Sequence, residues 1–135
     1  MIFRRTRSST IVDAAPHPNG AGAEKMAESY LERQGLTLLE RNFQCQLGEI
    51  DLIMEHGDSV IFVEVRFRKS SFYGSAVETV TRGKQRKIVK AAQYYLLHNK
   101  SAQHKPLRFD VMGIMPKGSG DYDYDWLQNA FYSDL

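Results

Sequence analysis

The sequence predicts an α/β fold with element order α-β-β-β-α-β, on three observations. Apolar residues recur at helical spacing in two separate stretches. Two alternating apolar segments meet at Gly57-Asp58, and a further alternating segment follows the second helical stretch.

Residues 1–19 mix Arg, Ser, Thr and Pro without apolar periodicity and read as a tail outside the fold, leaving residues 20–135 as one domain. From Gly22 to Gln34 the apolar positions Ala23, Met26, Ala27, Tyr30 and Leu31 fall on one helical face, and Gly35 follows as a helix-ending residue. Residues 36–43 form a first strand; residues 49–56 and 59–68 form two more, joined as a hairpin at Gly57-Asp58. Thr81 to His98 repeats the helical pattern, with Ile88, Ala91, Ala92, Tyr95 and Leu96 on one face and Arg82, Arg86 and Lys90 on another. Leu107 to Met115 is the next strand. Gly118 to Asp125 reads as a turn region leading into a short edge strand at Tyr124 to Leu127.

With 135 residues and 42% hydrophobic content the chain suits one packed core. Its longest uncharged apolar run, Val60 to Val63, is far short of the ~20 residues that span a bilayer. Arg4, Arg5 and Arg7 are not followed by the apolar segment of a signal peptide, so the expected location is the cytoplasm, away from membranes. A single cysteine, Cys45, excludes an internal disulfide and a CxxC zinc site. The net charge of +2 hides a strong asymmetry: residues 66–105 carry ten basic residues and one acidic residue, while the rest of the chain is net negative. A basic face for a polyanion beside an acidic cluster is the simplest arrangement that produces it.

The acidic cluster follows from the hairpin. A two-residue turn at Gly57-Asp58 sets Asp51 opposite Glu64 and Glu49 opposite Arg66, and residues two apart share a face, so these four form one polar group. Facing carboxylates repel, and Glu64 sits within Val-Ile-Phe-Val-Glu-Val, where an unpaired charge is costly. Two solutions exist: Arg66 and Arg68 neutralise the acids as an ion-pair ladder, or a hard divalent cation bridges them. On the second helix Arg82, Lys84, Arg86, Lys87 and Lys90 offer five cations, either to a phosphate backbone or to solvent, and the scarcity of neighbouring acids favours the phosphate. His17, His56, His98 and His104 show no ligand spacing. Asp110, beside Arg108, is expected to form a structural ion pair.

Gly48-Glu49-Ile50-Asp51 followed by Phe62-Val63-Glu64-Val65-Arg66 resembles the D…(D/E)xK core of the PD-(D/E)xK nuclease superfamily. With Gly22-Ala23-Glu24, Ala27, Tyr30-Leu31, Arg41-Asn42, Gly74, Thr81, Lys84 and Arg108-Phe109-Asp110-Val111, the chain is more closely similar to the bacterial UPF0102 (YraN) family, itself distantly similar to archaeal Holliday-junction resolvases. That resemblance implies a restriction-endonuclease-like fold, a central mixed β-sheet flanked by helices. It implies Mg²⁺ or Mn²⁺ held by Asp51, Glu64 and the Val65 carbonyl, with Glu24 completing the catalytic set and Arg66 in the position usually held by Lys.

Arginine stays protonated at working pH, so Arg66 cannot act as a base, although its fork can hold a phosphate. The implied activity is metal-dependent hydrolysis of DNA, branched DNA included, with Arg68, Lys69, Arg82, Lys84, Arg86, Lys87 and Lys90 on the nucleic acid and a homodimer as a corollary. The alternative is a nucleic-acid-binding protein on the same fold that has lost turnover.

Overall fold

The computed structural model describes residues 20–70 and 74–132. The proposed tail and the Phe72-Tyr73 part of the loop after the hairpin lie outside them. Helix α1 spans Gly20–Arg33, and strands β1 (Thr37–Cys45), β2 (Gly48–His56) and β3 (Ser59–Phe67) follow. Helix α2 (Arg82–Leu97) then leads to β4 (Leu107–Pro116) and β5 (Tyr122–Phe131). The five strands form one sheet in sequence order, antiparallel except for the parallel β3–β4 pair. A parallel pair needs a crossover, and α2 provides it. The result is the expected α-β-β-β-α-β order, extended by β5, in a mixed sheet flanked by helices, consistent with a restriction-endonuclease-like fold.

Both helices carry local end signals. Gly35, at φ +97°, ends α1: its amide bonds the Glu32 carbonyl while the Leu36 amide bonds the Leu31 carbonyl, a Schellman pattern that leaves few carbonyls orphaned. Thr81 caps α2, its hydroxyl accepting from the Lys84 amide at 3.1 Å.

Val60, Ile61, Phe62 and Val63 are all fully buried because each face of β3 has a helix upon it. Ile61 and Val63 join Ala27 and Leu31 of α1 in one cluster with Met112 and Ile114. Val60 and Phe62 join Ile88, Val89 and Ala92 of α2 in the other, with Phe109 and Val111. At the start of β2, Gly48 lies so close to α2 that a Cβ there would stand 2.7 Å from the Lys87 carbonyl oxygen. Gly48→Ala is therefore expected to destabilise the protein by about 1–2 kcal/mol, readable as a lowered urea midpoint with an unchanged m-value.

Two expectations need correction. The edge strand is ten residues long rather than four, because Tyr122 to Phe131 pairs along most of β4, with Tyr122, Tyr124 and Trp126 packed onto the α1-side cluster. Half of the supposed turn region is thus strand. The hairpin register is as expected from His56↔Ser59 to Leu52↔Val63, but the ladder ends there, so Asp51↔Glu64 and Glu49↔Arg66 are not ladder pairs. Alternation along β2 also breaks: Ile50 packs on the α2 side and Leu52 on the α1 side. Opposite the break, between the pairs Arg41↔Leu52 and Phe43↔Ile50, Asn42 of β1 has φ +50°. Glu49 is exposed, yet its charge still acts on Glu24 at the edge of the polar group.

Candidate active site

The site occupies the mouth where β2 and β3 separate. Past Leu52↔Val63, the Asp51 side chain takes over the ladder's work, its Oδ2 accepting the Val65 amide at 2.8 Å. That bond keeps the carboxylate in the gap. Glu64, on the adjacent strand, is 4% exposed, and α1 brings Glu24 against Asp51 from outside the hairpin. Carboxyl groups from three elements thus approach one another, close enough for the Asp51 charge to act on both Glu24 and Glu64.

Such a group cannot ionise fully in isolation. Burial, then the Asp51 charge, pushes the Glu24 carboxyl up to about 8, and the same two causes push Glu64 up to about 7 against the opposing pull of Lys84 and Arg66.

The cations are arranged unevenly. Arg66 Nη1 lies 3.4 Å from Glu64 Oε2, and Lys84 Nζ lies 3.9 Å from the same oxygen. Most of the Arg66 fork is anchored on Thr79: Nε donates to Thr79 Oγ1 at 3.0 Å and Nη2 to the Thr79 carbonyl at 3.1 Å, leaving Nη1 for Glu64. Thr79 is itself held through its hydroxyl to the Ala76 carbonyl at 2.6 Å. Sequence reading missed Thr79, which lies 13 residues from its partner on a short 3₁₀ turn, Val77–Thr79.

Of the remaining predicted cations, Arg82, Arg86, Lys87 and Lys90 are exposed on α2, whereas Lys84 turns in toward Glu64. Lys69 is exposed. Arg68 points elsewhere: its Nη1 donates to the Gly74 carbonyl, and its buried Nε has no hydrogen-bond partner among the described residues. It lines a cavity of about 380 Å³ with Gly113, Ile114, Asp123 and Asp125. Arg68 is thus tied to the loop at Gly74, and none of the ion pairs among the described residues joins it to the carboxylates as the ladder required.

Among the described residues no three His, Cys, Asp or Glu side chains are spaced to coordinate one ion together. The donor chemistry suits a hard cation with a partial protein shell: two carboxylates, a nearby backbone carbonyl, and water for the rest, as Mg²⁺ accepts. Asp51 and Glu64 would supply the carboxylates and Val65 the carbonyl.

Fold and site together define an α/β protein whose mixed sheet opens at one hairpin to hold an acidic trio beside a cationic helix. The profile of the uncharacterised protein family UPF0102 matches residues 23–114, and the chain belongs to that family. The UPF0102 protein of Alcanivorax borkumensis is 46% identical over 115 residues, covering 85% of this chain and 92% of the relative. That of Saccharophagus degradans is 48% identical over 118 residues, covering 87% and 96%. The solved structure of Pyrococcus furiosus SfsA in complex with Ca²⁺ is 16% identical, covering 81% of this chain and 62% of that one, with a TM-score of 0.36. So low a score decides neither fold nor function.

No described helix is long and apolar enough to cross a membrane.

Proposed function

We propose that the protein is a metal-dependent endonuclease that hydrolyses phosphodiester bonds in DNA, branched DNA included. The observation that carries this reading is the convergence of Glu24, Asp51 and Glu64 at one strand mouth, next to the exposed cations of α2. Asp51 and Glu64, with the Val65 carbonyl, would hold Mg²⁺ or Mn²⁺, which supplies Lewis-acid polarisation of the phosphate and a water of lowered pKa. Glu24 would orient that water. Arg66 keeps two N–H groups beyond those on Thr79 and Glu64, enough to meet one phosphate oxygen, and its permanent charge rules it out as the base. Arg82, Arg86, Lys87 and Lys90 would bind backbone phosphates without reading sequence. Cutting both strands of a junction calls for two sites, hence a homodimer.

The anchoring of Arg66 on Thr79 favours one other reading, a DNA-binding protein without turnover. A labelled panel of linear, single-stranded, flapped and four-way-junction DNA, incubated with Mg²⁺ or Mn²⁺, separates the two. Endonuclease activity predicts metal-dependent cutting that disappears in both Asp51→Ala and Glu64→Ala. Binding that weakens steeply with salt, with no cutting by any form, selects the second reading. Neither cutting nor binding overturns both.

A further inference from the structure

The acidic trio depends on where α1 sits. Ala23, Ala27 and Leu31 bury one stripe of the helix, with Met26 and Tyr30 packed beside it and the Tyr30 ring stacked on Tyr124 at 4.6 Å. None of these apolar contacts is directional in the way a hydrogen-bonded ion pair is. The neighbouring stripe carries Glu24 and, one turn later, Glu28. Glu28 is 7% exposed, a burial that an acid tolerates only with a partner. Arg41 of β1 meets it with both arms of its fork, Nε to Oε1 at 2.7 Å and Nη2 to Oε2 at 2.9 Å. A bidentate pair fixes direction as well as distance.

The strand end of this clamp is equally well placed. Arg41 pairs with Leu52, the residue after Asp51, and Asn42 beside it, at φ +50°, stands opposite the break that turns β2 at Asp51. One side of the clamp is therefore a turn away from Glu24, and the other is built into the ladder beside Asp51. We infer that Arg41 and Glu28 are positioning residues, a bidentate clamp that sets the rotation of α1 so that Glu24 meets Asp51. Calling that contact part of an active site rests on the proposed endonuclease reading; the clamp itself does not.

The Val65 amide reports the placement of Glu24 without metal or DNA, because it donates to the Asp51 carboxylate, whose charge acts on Glu24. In ¹⁵N–¹H spectra of the full chain, Glu24→Gln is expected to shift the Val65 amide, and Arg41→Ala and Glu28→Gln are expected to shift it in the same direction. Arg41→Lys, which keeps the charge but loses the fork, is expected to resemble Arg41→Ala rather than the native protein. If Arg41→Ala does not fold, the near-isosteric Glu28→Gln carries the test. Mn²⁺ titration by calorimetry is the second reading, with the dissociation constant expected to rise on the order of tenfold in the clamp variants, as for other residues that orient a ligand set. A Val65 amide that moves in Glu24→Gln and stays fixed in both clamp variants overturns the inference, as does one that Glu24→Gln leaves fixed. Absence of Mn²⁺ binding in the native protein counts against the endonuclease reading alone, since the amide shifts are read without metal.

Discussion

Asp110→Ala is expected to lower the thermal midpoint by about 15 °C, the largest stability loss of any single change considered for this chain. The carboxylate is fully buried and accepts four donors: Arg108 Nε at 2.9 Å, Arg108 Nη2 at 3.0 Å, Trp126 Nε1 at 2.8 Å and the Asn129 amide at 2.9 Å. Removing it strands a half-buried guanidinium, an indole N–H and a backbone amide together. Breaking a buried charge pair costs about 3–5 kcal/mol, against a total stability of about 5–15 kcal/mol for a domain. The effect concentrates on β5, because two of the donors lie on that strand, where Asn129 at φ +54° turns its backbone toward the acid. Hydrogen exchange would show this as loss of protection from Tyr122 to Phe131 at sub-global free energy. A midpoint within 3 °C of the native value would mean that the four bonds are replaced by water on removal and that β5 is held by its aromatic face instead.

The same residue shows which relationships a sequence discloses. Arg108 and Asp110 stand two apart in a strand, so their pairing is legible from alternation. The Trp126 and Asn129 donors are not, since they depend on β5 folding back along the whole of β4, and the Gly- and Asp-rich stretch before it reads as a turn. The hairpin divides in the same way. Its two-residue turn fixes a register that brings Asp51 near Glu64, which is why the centre of the site is legible. The splaying after Leu52 and the change of face at Asp51 depend on Asn42 in a neighbouring strand, and no periodicity within β2 announces them. Long-range polar partners are the least legible. Glu28 with Arg41 and Arg66 with Thr79 each join elements 13 residues apart whose relative placement only packing decides. Lys84 and Arg68 illustrate the converse: both belong to basic runs, yet local contacts turn one toward Glu64 and the other into a loop.

Glu64→Gln is expected to stabilise the metal-free protein above neutral pH while abolishing its response to Mg²⁺. Folding raises the Glu64 carboxyl from its ordinary value of 4.5 to about 7, so between those limits the native state holds a proton that the unfolded chain releases. Stability from this group is complete below about 4.5 and is lost as pH rises through 7, with Glu24 extending the decline toward 8. The native midpoint should therefore fall by on the order of 5–10 °C between pH 5 and pH 8.5 in a chelator. Glutamine carries the shape and hydrogen bonds of the protonated acid at every pH, so the variant should keep most of its low-pH stability and show a flatter profile. A divalent cation acts on the same group from the other direction. Where it displaces the protons on Glu64 and Glu24, binding stabilises the native state, by about 2.7 kcal/mol at a hundredfold excess over the dissociation constant. At pH 8.5, Mg²⁺ should thus restore much of the midpoint that alkalinity removes from the native protein and restore little in Glu64→Gln. The pH dependence and the Mg²⁺ response test separate statements. A native midpoint that does not change between pH 5 and pH 8.5 would show that folding does not hold Glu24 and Glu64 protonated. A decline with pH that Mg²⁺ reverses equally in both proteins would show that the cation binds elsewhere, and would leave Glu64 a buried acid balanced by Arg66 and Lys84 alone.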